Sequence, residues 1–385
     1  MSRLIMSRRL TLACAALFGV FALFQTAAIA QTDDPVPGLT RDCTAGDAYA
    51  CSALGRQYES GEFVVADDAN AAGLYRIGCE GGDMAGCADL GFMYEQGRGV
   101  PLDEVVAVSY YRQGCDGGDS WGCSNLGSMY DGGRGVVEDN AEAIRLFGLA
   151  CDDGIARGCS NLGLMYRDAE GVPEDLVQAA RYYQLGCDAG DGQGCTDLGF
   201  AYENGHGVPV DLSKAVTLYR DGCKLDNLFG CTNAGFMYFS GTGVEANNER
   251  AVSYYTVACD GNDARGCNNL GTMYYDGLGI PQNDARSLAL FQQACDLDYP
   301  LGCSNTGLMY SLGRGVAPDE TTAVQLYQRG CDGDDMQGCD SLAYNYENGL
   351  GLKANRNQAI DLYRRACTGE FTASCEALTR LGVTP

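Results

Sequence analysis

The sequence predicts an all-α solenoid of 36-residue helix hairpins, each joined to the next by a disulfide. Three observations predict it: cysteines that recur every 36 residues, a glycine-rich break at one fixed place in each unit, and apolar residues at helical spacing on both sides of that break. One cysteine series is Cys43, Cys79, Cys115, Cys151, Cys187, Cys223, Cys259, Cys295, Cys331 and Cys367. A second runs eight residues behind: Cys51, Cys87, Cys123, Cys159, Cys195, Cys231, Cys267, Cys303, Cys339 and Cys375. No insertion or deletion interrupts either series. Nine complete repeats start at 43, 79, 115, 151, 187, 223, 259, 295 and 331, and a truncated capping repeat covers 367–385, so 43–385 reads as a single solenoid.

Ahead of the repeats, residues 1–30 read as a signal peptide. Arg3, Arg8 and Arg9 precede an apolar run from Leu10 to Phe24, and Ala28, Ile29 and Ala30 form a small-x-small cleavage site. The run is too short for a bilayer-spanning helix, and no later stretch could cross one. Residues 31–42, with Pro35 and Pro37, read as a linker. Cleavage would place the chain in the periplasm or outside the cell, with no membrane insertion afterwards. Of 21 cysteines, Cys14 lies in the signal segment, leaving an even 20 for disulfides in an oxidising compartment.

Residues 115–150 illustrate the unit. Leu126, Gly127 and Tyr130 share one face of a first helix, A. The run from Gly132 to Val136 breaks it, and Asp139 caps a second helix, B, which carries Ala143 and Phe147 at i, i+4. The capping position is Asp or Asn in all nine repeats: Asp67, Asp103, Asp139, Asp175, Asp211, Asn247, Asn283, Asp319 and Asn355. Pro101, Pro173, Pro209 and Pro281 stand two residues before four of these caps. The helix A glycine recurs in eight repeats, with Ala343 the exception, and the helix B alanine in eight, with Ser287 the exception. Glycine within a helix costs about 1 kcal/mol against alanine, so its recurrence points to close helix–helix approach. The tyrosine at position 130 recurs in every complete repeat and is read as a buried ring whose hydroxyl needs a partner. The methionines at 93, 129, 165, 237, 273 and 309 are read as packing.

Equivalent cysteines in adjacent repeats would lie about 8–10 Å apart, beyond disulfide reach. Joining the start of helix A to the end of its own helix B would orphan Cys43 and Cys375. Pairing across seven residues orphans none: Cys43–Cys51, Cys79–Cys87, Cys115–Cys123, Cys151–Cys159, Cys187–Cys195, Cys223–Cys231, Cys259–Cys267, Cys295–Cys303, Cys331–Cys339 and Cys367–Cys375. These thiols are structural rather than redox-active.

Cys-x7-Cys followed by N-L-G-x-M-Y-x-x-G-x-G-V and an Asp-led helix resembles the Sel-1-like (SLR) repeat, most of all its cysteine-rich secreted branch known from helicobacter. The resemblance covers nearly the whole chain after residue 42. It implies a right-handed α/α superhelix similar to tetratricopeptide arrays, with helix A on the concave side. It also implies an adaptor that holds proteins or peptides. Some cysteine-rich members are penicillin-binding or weakly β-lactam-hydrolysing, which gives an alternative function. Departures from the pattern are local: Phe63 in the turn of repeat one, Ala169 and Glu170 in that of repeat four, and Ala343 and Asn345 in repeat nine.

Composition argues against most chemistries. With 51 acidic against 26 basic residues the net charge is −25, and loss of three arginines and no acid with residues 1–30 makes it −28. Such a chain repels nucleic acid and attracts cationic partners; the competing reading is that acidity serves solubility. One histidine, His206, cannot supply a two-histidine zinc motif, and it occupies a turn position held elsewhere by Arg98, Arg134 and Arg314. No Ser-x-x-Lys occurs, so the serine β-lactamase nucleophile motif is missing. Acidic turns such as Asp332, Asp334 and Asp335 lack the full calcium-loop pattern. No catalytic residue, metal site or cofactor is expected, and a monomer is.

A surface remains. Two residues past the second cysteine stands Asp or Asn in seven repeats: Asp89, Asn125, Asn161, Asp197, Asn233, Asn269 and Asn305. Three residues on, roughly the same face carries Phe92, Phe200 and Phe236. Amides can donate to and accept from an extended peptide backbone, and the rings would bound side-chain pockets. The competing reading is that these polar side chains only cap helix A or bond the preceding loop.

Overall fold

The computed structural model describes residues 34–384. Among these there are twenty helices and no strand. Helix A spans Ala48–Ser60, Met84–Gln96, Ser120–Asp131, Ala156–Asp168, Gly192–Asn204, Leu228–Ser240, Ala264–Asp276, Pro300–Leu312 and Met336–Asn348 in repeats one to nine. Helix B spans Asp68–Glu80, Glu104–Asp116, Asn140–Asp152, Leu176–Asp188, Leu212–Lys224, Asn248–Asp260, Asp284–Asp296, Glu320–Asp332 and Arg356–Thr368. Each helix B packs between its own helix A and the next, which makes an α/α solenoid. Consecutive A helices of the complete repeats also touch one another, most sparsely between repeats three and four, whereas consecutive B helices are more widely separated. Helix A therefore lines the inside of the curve.

Every helix B starts at its Asp or Asn cap, whose side-chain oxygen accepts the N–H three residues on, as Asp103 does from Val106 at 3.0 Å. The recurrent helix A glycine makes room for the ring of helix B. A Cβ on Gly91 would stand 2.8 Å from Tyr111, and one on Gly127 2.8 Å from Phe147. The turn glycines answer to a different neighbour. Gly99, at φ +65°, presses against the start of helix B of the preceding repeat, so a side chain there would meet backbone. Repeat one carries Phe63 at this position. In repeat four, Ala169 takes the left-handed conformation (φ 60°) that glycine holds elsewhere, so that turn is kept despite its altered sequence.

Two expectations need correction. Residues 36–42, read as part of a linker, belong to a helix, Val36–Thr44. Its prolines fall at the helix start, where a missing N–H costs nothing, and Asp34 accepts the Val36 N–H at 3.0 Å. This helix is bonded to repeat one through Cys43–Cys51 and acts as a leading half-repeat. The signal segment 1–30 lies outside the described residues. Second, the tyrosine of helix A is mostly only half-buried, because it sits in the last turn of its helix; in four repeats its hydroxyl meets a cation, as Tyr130 meets Arg112 at 2.5 Å. The fully buried ring is that of helix B: Tyr75, Tyr111, Phe147, Tyr219 and Tyr363 are all at most 2 % exposed. The six methionines are buried.

The buried tyrosines organise the joints between repeats. Tyr75 donates to Glu59 of helix A at 2.6 Å, and the other oxygen of Glu59 accepts Arg98 from the turn of the next repeat at 2.7 Å. Tyr111, Glu95 and Arg134 repeat the arrangement, and Tyr363, Glu347 and Arg380 close the C-terminal end. Repeats three, four, six, seven and eight lack the glutamate, carrying Asp131, Arg167, Phe239, Tyr275 and Ser311 there. In repeat four, Tyr183 Oη is buried without a hydrogen-bond partner. In all ten repeats the cysteines eight apart are bonded, with Cα atoms 4.4–4.9 Å apart, linking the end of one helix B to the start of the next helix A.

Candidate functional site

The seven Asp and Asn residues all lie half-buried on helix A, in the concavity. None caps a helix; that work falls to residues such as Asp47, Asp119 and Asp191 at the helix A starts. Four of the seven are engaged by neighbouring side chains. Asp89 accepts Arg56 of repeat one at 3.0 Å, Asn161 donates to Ser128 at 3.4 Å, Asn305 donates to Asn268 at 2.8 Å, and Asp197 accepts Gln193 at 2.9 Å. These bonds mostly run from one helix A to the one before, so part of the row ties the inner wall together. Asn125, Asn233 and Asn269 have no hydrogen-bonding partner among the described residues.

Burial pushes the Asp89 carboxyl up to about 6, against the pull of Arg56 in the other direction. The folded group then holds its proton above the pH at which the unfolded group, near 3.8, releases it. Stability from this site is therefore greatest below about pH 4 and declines as pH rises through about 6. An NMR titration of the Asp89 carboxyl is expected to give a midpoint near 6; a midpoint near 4 would mean that the Arg56 ion pair fully offsets desolvation. Burial also raises the Asp197 carboxyl.

Phe92, Phe200 and Phe236 are exposed on the same wall, and so is Tyr344 at the equivalent position. Sequence reasoning missed a further row four residues before the amides, holding Tyr49, Trp121, Arg157, Gln193, Phe229 and Arg265. Its signal was the i, i+4 spacing to the amide position. Tyr49, Trp121 and Phe229 are exposed, and Arg265 lies over the Phe229 ring at 4.8 Å, from one repeat to the next. Among the described residues, all eight exposed large aromatic side chains (these seven and Phe239) belong to helix A. The large apolar residues exposed on helix B are aliphatic, for example Val105, Val177 and Val257.

The A helices of repeats three and four are joined by the Asn161–Ser128 hydrogen bond and are otherwise the neighbouring A helices in sparsest contact. A cleft of about 440 Å³ opens there, lined by Phe92, Glu95, Gln96, Asn125, Ser128, Arg134, Arg157, Asn161, Asp191 and Gln193. It thus brings together three of the residues expected from sequence, Phe92, Asn125 and Asn161. Asp197, Asn233, Asn269, Asn305, Phe200 and Phe236 lie farther along the wall, and Asp89 lines a smaller hollow with Arg56, Asp119 and Trp121. No three His, Cys, Asp or Glu side chains among the described residues converge as metal ligands. No helix described is long and apolar enough to cross a membrane.

The Sel1 repeat matches nine times, at residues 48–83, 85–119, 122–155, 156–191, 192–227, 229–263, 264–299, 300–335 and 337–370. The chain belongs to the Sel1 repeat family. Members of this family are scaffolds that typically mediate protein–protein interaction rather than catalysis. Among solved structures, it resembles c5321, a protective antigen of uropathogenic Escherichia coli with an SLR fold, at 23 % identity over 90 % of this chain and 83 % of that one, with a TM-score of 0.59. A Sel1 repeat protein from Oxalobacter formigenes is similar at 24 % identity over 80 % and 89 % of the two chains, with a TM-score of 0.57. Helicobacter pylori cysteine-rich protein B matches at 30 % identity over 34 % of this chain and 93 % of its own, with a TM-score of 0.29. No curated protein matches the sequence significantly. The β-lactam alternative gains no support from these comparisons. The match places the chain in the class of Sel1 solenoids that the Cys-x7-Cys unit resembles.

Proposed function

We propose that this Sel1 solenoid is an exported adaptor that holds an extended peptide or protein segment along its helix A wall. The observation that carries the reading is the segregation of exposed aromatic rings onto helix A, beside carboxamides with unused hydrogen-bonding capacity. Rings supply large contact area at low entropic cost, and amides satisfy a peptide backbone whatever its sequence. An oxidising compartment, periplasmic or extracellular, fits ten disulfides and the signal-like residues 1–30. The net negative charge favours partners of opposite sign at long range, while the wall itself mixes Arg157 and Arg265 with Asp89 and Asp197. Pull-down from an envelope extract tests the reading. The wild-type protein is expected to enrich a partner that the triple variant Phe92→Ser, Phe200→Ser, Phe236→Ser loses and Val105→Ser, Val177→Ser, Val257→Ser keeps. Equal enrichment by both variants would move binding off helix A.

A further inference from the structure

The charged groups of the cleft between repeats three and four are unequally engaged. Glu95 accepts Tyr111 Oη with one oxygen and Arg134 with the other, at 2.5 and 2.7 Å. Asp191 accepts the backbone N–H of Gly194 at 3.1 Å. Glu95 is thus engaged on both oxygens, one of them by a cation, and Asp191 on one oxygen by a neutral N–H. Arg157, an exposed residue in the first turn of its helix, makes no ion pair and no hydrogen bond among the described residues. It is a cation in a concave site of an acidic chain, with no acid in ion-pair contact; Asp191 lines the same cleft without pairing to it. Beside it, Asn125 is unbonded, and Asn161 donates only one N–H, to Ser128 at 3.4 Å.

This set of groups selects among ligands. A cationic side chain would meet two guanidiniums, Arg134 and Arg157, with Glu95 already paired and only one oxygen of Asp191 left to receive it. A neutral backbone would satisfy the amides and leave Arg157 unpaired. A carboxylate would take the planar fork of Arg157 on its two oxygens and accept further bonds from carboxamide N–H groups. About 440 Å³ is room for the end of a peptide or one acidic side chain with its neighbours, and Phe92 on the rim offers an apolar contact. We propose that this cleft binds a carboxylate of the held peptide, with Arg157 as its charge partner and Asn125 and Asn161 as donors. The inference rests on the peptide-holding reading above. The carboxylate comes either from a chain terminus or from an Asp or Glu side chain, which share this chemistry.

The test uses the oxidised full chain on arrays of N-terminally anchored random octapeptides printed in three forms: free C-terminal acid, C-terminal amide, and amide with one internal aspartate. Binders in the acid form are expected to weaken about ten- to hundredfold as amides, the effect of losing a hydrogen-bonded charge. Arg157→Gln should abolish that preference and Arg157→Lys retain part of it, whereas Arg181→Gln, on an exposed site of helix B, should leave it unchanged. Recovery by the internal aspartate would assign the carboxylate to a side chain, and no recovery to the terminus. Equal binding of acid and amide, or a preference that survives Arg157→Gln, would overturn the carboxylate site while leaving peptide binding intact. No binding in any form would overturn both.

Discussion

Reduction of the ten disulfides is expected to lower the thermal unfolding midpoint by at least about 20 °C and to turn one cooperative transition into a broad one. Each bridge closes a short loop, worth roughly 2–3 kcal/mol in the chain-entropy model. Ordinary domains have a net stability of only about 5–15 kcal/mol, so ten such contributions would dominate the balance. They also sit where a solenoid is weakest. In a linear array each repeat contacts only its neighbours, and here every joint from helix B to the next helix A carries one bridge, from Cys43–Cys51 to Cys367–Cys375. Circular dichroism melts with and without a phosphine reductant read the effect. A midpoint that moves by less than about 5 °C would show that packing alone holds the joints. Non-reducing peptide mapping of the same sample should return only pairs eight residues apart.

Truncating a buried ring of helix B has the largest effect expected of any single substitution. Tyr219→Ala should cost about 4 kcal/mol, since it removes a fully buried side chain facing Gly199 and leaves a cavity. The hydroxyl can be separated from the ring. Tyr219 donates to Glu203 at 2.5 Å, so Tyr219→Phe should cost about 1–2 kcal/mol by leaving that carboxylate short of a donor. Tyr183→Phe should be neutral or stabilising, because the Tyr183 hydroxyl is buried with no hydrogen-bond partner, among the charges of Arg167, Asp197 and Asp168. Amide hydrogen exchange in repeats four and five, which resolves local from global opening, reads all three. Equal losses for the two Phe variants would refute the assigned role of the Glu203 position.

The repeat length, the helix B caps and the helix A glycines were legible because each recurs at a fixed period and each has a local cause: a free N–H to satisfy, or a ring to accommodate. Val36–Thr44 was not legible, since two prolines in a short segment suit a linker and a helix start equally. Spacing along helix A put Tyr130 and Leu126 on one face but could not say that the last turn opens to solvent. That is why the half-buried tyrosine was taken for the buried ring. The candidate wall was readable as a row of Asp, Asn and Phe. Its cross-repeat bonds, such as Arg56 to Asp89, depend on the angle between successive hairpins, which no single unit encodes. Arg157 escaped notice because its row varies from Tyr49 to Trp121 to Gln193, so no residue type repeats there to mark the position.

Site-specific photocrosslinking tests the central claim most directly. A benzophenone amino acid would replace, one at a time, Phe92, Phe200 and Phe236 on helix A, and Val105, Val177 and Val257 on helix B. The protein would then be irradiated in its native compartment. Adducts confined to the helix A set, with one partner peptide crosslinked from successive repeats, are the predicted result. Adducts from helix B in equal yield, or none from helix A, would contradict a binding role for the inner wall.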